Sequence, residues 1–195
     1  MNYLAHLFLS FNDEQIAIGN FMADFVKGNK FNDYPSDIRR GILIHREIDH
    51  YTDHHEILLK GKKRLFEDYR HYSGVIMDIY YDHFLAKNWS EYSDENLDVF
   101  CERQYLLLNN NIETLPDRCQ YLLKYMESGN WLLNYQYIHG IQFALSGLSK
   151  RTSFESGMQK AVKNLEDDYQ LYEGEFQAFF KDILNHIHNF TDQLA

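Results

Sequence analysis

The chain reads as a single all-α domain spanning residues 1–195, and three observations carry that reading. Apolar residues recur at helical spacing through most windows, and no window reads firmly as a strand. Only 2 Pro and 10 Gly occur, too few punctuators for a many-stranded sandwich or barrel. Aromatic residues supply 16% of the chain, enough bulk for the core of one domain of ordinary size.

Taken in order, residues 2–11 predict an apolar helix with Leu4, Leu7 and Phe8 on one side and His6 among them. The segment is too short for a membrane span, and it lacks the basic start of a secretory signal. Asn12 and Asp13 offer a turn and an N-cap for a helix over 16–26, which Gly28, Asn29 and Lys30 break. After a loop over 32–36, Pro35 and Asp37 suit the first turn of a central helix running to about Leu59. Ser73 begins another helix, 93–109 is amphipathic, and Pro116 opens one through Met126. Residues 131–148 continue in helical period. Thr152-Ser-Phe-Glu155 has the pattern of a capping box, predicting a long last helix to about Phe190.

Composition excludes several function classes. A net charge of -10 argues against general nucleic-acid binding, which needs a basic face to neutralise phosphates. Cys101 and Cys119 lack CxxC spacing and read as reduced thiols of a cytoplasmic protein, one or both of them buried. No GxSxG elbow, Walker loop or GxGxxG segment is present.

What remains points to a metal-centred hydrolase. In GILIHREIDHYTDHH (41–55), His45, Asp49 and Asp53 fall at i, i+4 and i+8 and project from one helix face. Ile42, Ile44 and Ile48 predict a largely buried helix, where an unpaired charge is costly. In DIYYDHF, Asp78 and Asp82 repeat the spacing and His83 follows. Asp24 lies in the apolar window GNFMADF, four residues after Asn20, and needs a partner or a cation. His6 is either a ligand or a core histidine held by a carbonyl. His54, His55, His186 and His188 read as surface residues. Three carboxylates with one or two imidazoles suit Mn²⁺ or Mg²⁺, and Fe²⁺ or Zn²⁺ less well.

Four consecutive blocks, MNYLAHLFLS, GNFMADFVKGN, GILIHREIDHYTDHH and DIYYDHFLAKNWS, together resemble the acyl carrier protein phosphodiesterase family. GNWLLNYQYIHGIQFALSGLSKR is similar to that family's later Trp/Tyr helix, so the likeness covers most of the chain. The resemblance implies an all-helical fold distantly similar to HD-domain phosphohydrolases, a requirement for Mn²⁺, and cleavage of 4′-phosphopantetheine from holo-acyl carrier protein. It carries over Asp24, His45, Asp49, Asp78 and Asp82 as candidate ligands, beside His6. A literal His-Asp doublet is missing; Asp-His stands instead at 49–50, 53–54 and 82–83. His83 or a carboxylate is expected to orient water, and Arg46 or Arg151 to neutralise phosphate charge. Docking of an acidic carrier is expected on Arg39, Arg40, Lys60, Lys62, Lys63 and Arg64, joined by Lys150 and Arg151. The rivals are an HD-like phosphohydrolase of small nucleotides or phosphoesters and a non-catalytic helical binding protein.

Overall fold

The structure, a computed structural model, describes residues 1–152 and 154–194. Helices carry the chain, and no strand occurs among the described residues. Helix α1 (Tyr3–Phe8) is shorter than expected, because Phe11 and Asn12 turn into the left-handed region at φ 50° and 63°. Asp13 caps α2 (Glu14–Met22) by accepting from the Gln15 and Ile16 amides. A 3₁₀ turn over Ala23–Phe25 then carries Asp24.

Pro35 precedes α3 (Ser36–His54), which stops five residues before the predicted end. His55 adopts an extended backbone, and its Nδ1 accepts the Ile57 amide, so the same residue starts α4 (Glu56–Tyr69). That ring is tucked against Phe179, with Asp182 at 3.4 Å, rather than exposed as predicted. Helices α5 (Ser73–Lys87), α6 (Leu97–Asn110) and α7 (Asp117–Ser128) follow, near their expected places. The 131–148 window divides into α8 (Trp131–Asn134) and α9 (Ile138–Ser149).

The capping box does not form. Thr152 Oγ1 lies 2.8 and 2.7 Å from the Ser149 and Phe154 carbonyls instead, and Gly157 takes φ 68°. Ser153, its second residue, lies outside the described residues. The last helical stretch therefore starts later, as α10 (Ala161–Asp167) and α11 (Tyr169–Gln193).

Two features of this architecture position the site. First, α2 and α3 cross at glycines: a Cβ on Gly19 would lie 2.0 Å from the Ile38 carbonyl oxygen, and one on Gly41 2.2 Å from that of Ile16. Only hydrogen at these positions lets the two backbones touch. Second, α5 is buried nearly all round, with Ile76, Met77, Tyr80, Tyr81, Phe84 and Leu85 fully inside, as a central helix must be. Tyr172, Phe176, Phe179 and Phe180 of α11 cover it, for example with Tyr80 and Tyr172 centroids 5.1 Å apart. Cys101 and Cys119 are free and buried, and burial pushes both thiols up to about 12. Among the described residues, no helix is long and apolar enough to cross a membrane.

Candidate metal centre

His6 of α1 and His45 of α3 stack with ring centroids 4.1 Å apart, brought together where α2 lies between their helices. Asn20 fixes both rings. Its backbone carbonyl, which can only accept, takes the Nδ1–H of His45 at 2.9 Å. Its side-chain nitrogen donates to the His6 carbonyl at 2.6 Å, so its Oδ1 is the acceptor for His6 Nδ1–H at 2.9 Å. Both Nε2 atoms are thereby left to face the opposite way.

They face carboxylates. His6 Nε2 lies 3.3 Å from Asp49 Oδ1, and His45 Nε2 lies 3.1 Å from Asp49 Oδ2 and 3.2 Å from Asp24 Oδ1. A lone pair held against an anionic oxygen is repulsive unless a proton or a metal cation sits between them. At His45, in the protein without metal, a proton takes that place. Burial pulls the His45 imidazole down, but the hydrogen bonds to Asp24 and Asp49 outweigh it and raise its pKa to about 9. Burial, and His45 as a charged neighbour, hold His6 below its ordinary value, so only one of the stacked rings charges readily. For Asp49, burial is outweighed by hydrogen bonds from His45 and then His6, which hold the carboxyl well below the usual range; His45 does the same for Asp24.

The donor set fits a divalent cation. Ligand atoms of His6, His45 and Asp49 all lie within 4.8 Å of one another, and Asp24 reaches the group through His45. Two imidazoles with two carboxylates match Mn²⁺ or Fe²⁺ better than a hard oxygen-only site would. The cluster forms the polar end of a cavity of about 410 Å³. Val75, Ile79, Trp131, Phe143 and Leu148 line its apolar part, and Tyr3 and Arg151 also border it.

The sequence sets Asn20 four residues before Asp24 in an apolar window but assigns it no role at the site. Asn20 is fully buried. Asn20→Ala is expected to weaken Mn²⁺ binding by roughly 10- to 100-fold, since both rings lose their orienting acceptor or its support. Calorimetric titration with Mn²⁺ checks this, with circular dichroism to show that the helices persist.

The second acidic stripe does not join the cluster. Asp78 borders the cavity, but its Oδ1 pairs with the Met1 ammonium at 2.9 Å. Asp82 is fully buried and accepts from the Leu4, Asn2 and Ala5 amides at 2.8, 3.1 and 3.4 Å. It therefore closes the N-terminus of α1, satisfying amides that the helix leaves unpaired. Burial raises its carboxyl to about 7 against the pull of the ammonium and those amides.

His83 is also elsewhere, which corrects its expected role beside water. Its Nδ1 donates to the Tyr135 carbonyl at 2.7 Å, and the Tyr169 hydroxyl lies 2.7 Å from Nε2. Burial lowers its pKa, so the folded protein binds this proton less well than the unfolded chain. Its contribution to stability is accordingly present above the unfolded value of about 6.5 and lost as pH falls through the lower folded value. The urea midpoint should drop less between pH 7.5 and 5 in His83→Gln than in the parent.

Several expected docking cations are occupied. Arg64 pairs with Glu175 and lies over Tyr172, and Lys62 holds Asp53 at 2.7 Å. Arg46 donates through Nη2 to the Val26 and Gly28 carbonyls and covers Phe31, and it does not line the cavity. Arg40 reaches Asp37 at 3.7 Å, and Arg39 is half-buried. Lys60, Lys63, Lys150 and Arg151 are exposed.

Comparison with known proteins adds the context. The family model described as acyl carrier protein phosphodiesterase matches residues 1–183. A protein named acyl carrier protein phosphodiesterase from Klebsiella pneumoniae (strain 342) is 32% identical over 185 residues, covering 94% of this chain and 96% of its own. Namesakes from Yersinia enterocolitica and Photorhabdus laumondii are 31% and 29% identical, covering 95% and 97% of this chain and 96% of each relative. No solved structure matches. The chain belongs to the acyl carrier protein phosphodiesterase family.

Proposed function

We propose that this protein hydrolyses the phosphodiester of holo-acyl carrier protein, releasing 4′-phosphopantetheine and the apo-protein, in the cytoplasm. The observation that carries the reading is the convergence of His6 Nε2, His45 Nε2 and carboxyl oxygens of Asp24 and Asp49 at the polar end of the cavity. His6, His45 and Asp49, with Asp24 beside them, hold the cation, with Mn²⁺ favoured and Mg²⁺ or Fe²⁺ as substitutes. A divalent cation in such a site polarises a phosphoryl oxygen and lowers the pKa of water.

The chain's own groups supply the rest. Asp24, with its side chain 58% exposed at the cavity, accepts a hydrogen bond from the attacking water and orients it, while the water's proton passes to solvent. The bond between phosphorus and the seryl oxygen breaks, and that oxygen leaves with a proton taken up from solvent. Arg151 borders the cavity and stacks on Trp131 at 5.6 Å, placed to offset phosphate charge. The apolar wall of Val75, Ile79, Trp131 and Leu148 receives the uncharged part of the prosthetic arm. The distant kinship with HD-domain phosphohydrolases rests on the sequence resemblance.

Mass spectrometry of the carrier after incubation with enzyme and Mn²⁺ tests this directly. Conversion of holo- to apo-protein is the expected outcome. An unchanged carrier, with small phosphodiesters cleaved at low KM, would transfer the site to a small-molecule phosphohydrolase.

A further inference from the structure

A second, open groove adjoins the cavity and shares two residues with it, Tyr3 and Arg151. Phe25 and the outer face of α7 build the rest: Arg118, Tyr121, Leu122 and Tyr125, with Asp117 as its one carboxylate among the described residues. Tyr121 and Tyr125 are 65% and 47% exposed, and their rings sit 4.7 Å apart with the hydroxyls 2.9 Å from each other. Tilted 56° to one another, they form an apolar step with a polar edge, of the aromatic kind enriched at protein interfaces. Arg118, Lys124, Lys150 and Arg151 are exposed, and none enters an ion pair among the described residues. The chain as a whole carries a net charge of -10, so this is a local cationic step on an acidic molecule.

The geometry points to this groove as the docking surface for the negatively charged face of the protein substrate. The inference rests on the substrate reading above. A cavity of about 410 Å³ accommodates a slender prosthetic arm but not a folded protein, so the carrier's body must rest against the surface beside it. The groove is continuous with the cavity through Tyr3 and Arg151, and its cations Arg118 and Arg151, in no ion pair among the described residues, complement acidic side chains. The basic run on α4 fits less well. Lys62 and Arg64 are already paired, and neither cavity is lined by Lys60, Lys62, Lys63 or Arg64.

Steady-state kinetics on holo-acyl carrier protein with Mn²⁺ tests the assignment, using Arg118→Glu/Lys124→Glu and, for comparison, Lys60→Glu/Lys63→Glu. All four positions are exposed, so folding is not at stake. The α7 pair is expected to raise KM by roughly tenfold or more, leave kcat within about twofold, and flatten the salt dependence of kcat/KM. The α4 pair should change neither. Tyr121→Ser is expected to raise KM a few-fold without altering the salt dependence. An unchanged KM in the α7 pair, with the parent active, would overturn the docking surface while leaving the reaction intact. A rise in KM confined to the α4 pair would overturn it in favour of that helix. A parent enzyme that releases nothing from the carrier would overturn the substrate reading and the docking surface with it.

Discussion

Asp49→Ala is expected to lower Mn²⁺-dependent release of the prosthetic arm by roughly a thousandfold, about 4 kcal/mol of transition-state stabilisation. Asp49 bridges the two imidazoles, with Oδ1 at 3.3 Å from His6 Nε2 and Oδ2 at 3.1 Å from His45 Nε2. Removing it leaves two stacked rings without the anion that makes their pairing with a cation favourable. The loss should appear in kcat and in Mn²⁺ affinity together, while the melting temperature without metal changes little, because the side chain is 45% exposed. Initial rates at saturating carrier, over a range of Mn²⁺ concentrations, measure both effects. Residual activity within tenfold of the parent would remove Asp49 from the centre.

The largest expected effect on the fold comes from Gly41→Ala. A methyl there meets the Ile16 carbonyl oxygen at 2.2 Å and the Gly19 Cα at 2.9 Å, backbone atoms that no rotamer change can move aside. Helices α2 and α3 must separate, at an expected cost of roughly 2–4 kcal/mol. For a chain of this size that is a drop of about 5–15 °C in Tm. The damage should also reach the chemistry. His45 is one turn beyond Gly41, and its Nδ1–H bond goes to the carbonyl of Asn20, the residue after Gly19. Gly174 provides the control: it lies within α11 with nothing within 4 Å of an added Cβ. Gly174→Ala should raise stability by about 0.5–1 kcal/mol through helix propensity. Calorimetry on both variants decides, and equal melting temperatures for Gly41→Ala and the parent would contradict the contact.

Much of this was legible in the residues, and the reasons for the misses are specific. The pairing of His45 with Asp49 follows from i, i+4 spacing on one helix, a local relation that the sequence expresses directly. Asp78 and Asp82 have the same spacing and an equally apolar setting, yet they hold the chain's first residues. Spacing defines a face of a helix but not which element packs on it. His6 was left open between ligand and core histidine because its partners, Asn20, His45 and Asp49, lie on other helices. Its geometry combines both readings: Nδ1 is held by an acceptor, though a side chain rather than a carbonyl, and Nε2 points at the carboxylate. The break between α3 and α4 turns on one side chain, His55, capping the next helix, and nothing in the hydrophobic period marks it. The failed box at Thr152 shows the converse, a correct local pattern whose hydroxyl instead meets the carbonyls of Ser149 and Phe154.

The central claim is that His6, His45 and Asp49 hold the catalytic cation. Anomalous diffraction from crystals soaked in Mn²⁺ tests it most directly. A strong anomalous peak is expected within coordination distance of His6 Nε2, His45 Nε2 and an Asp49 oxygen, and no such peak in Asp49→Ala. A parent crystal in which Mn²⁺ settles only on other carboxylates, leaving the stacked imidazoles without a peak, would contradict it.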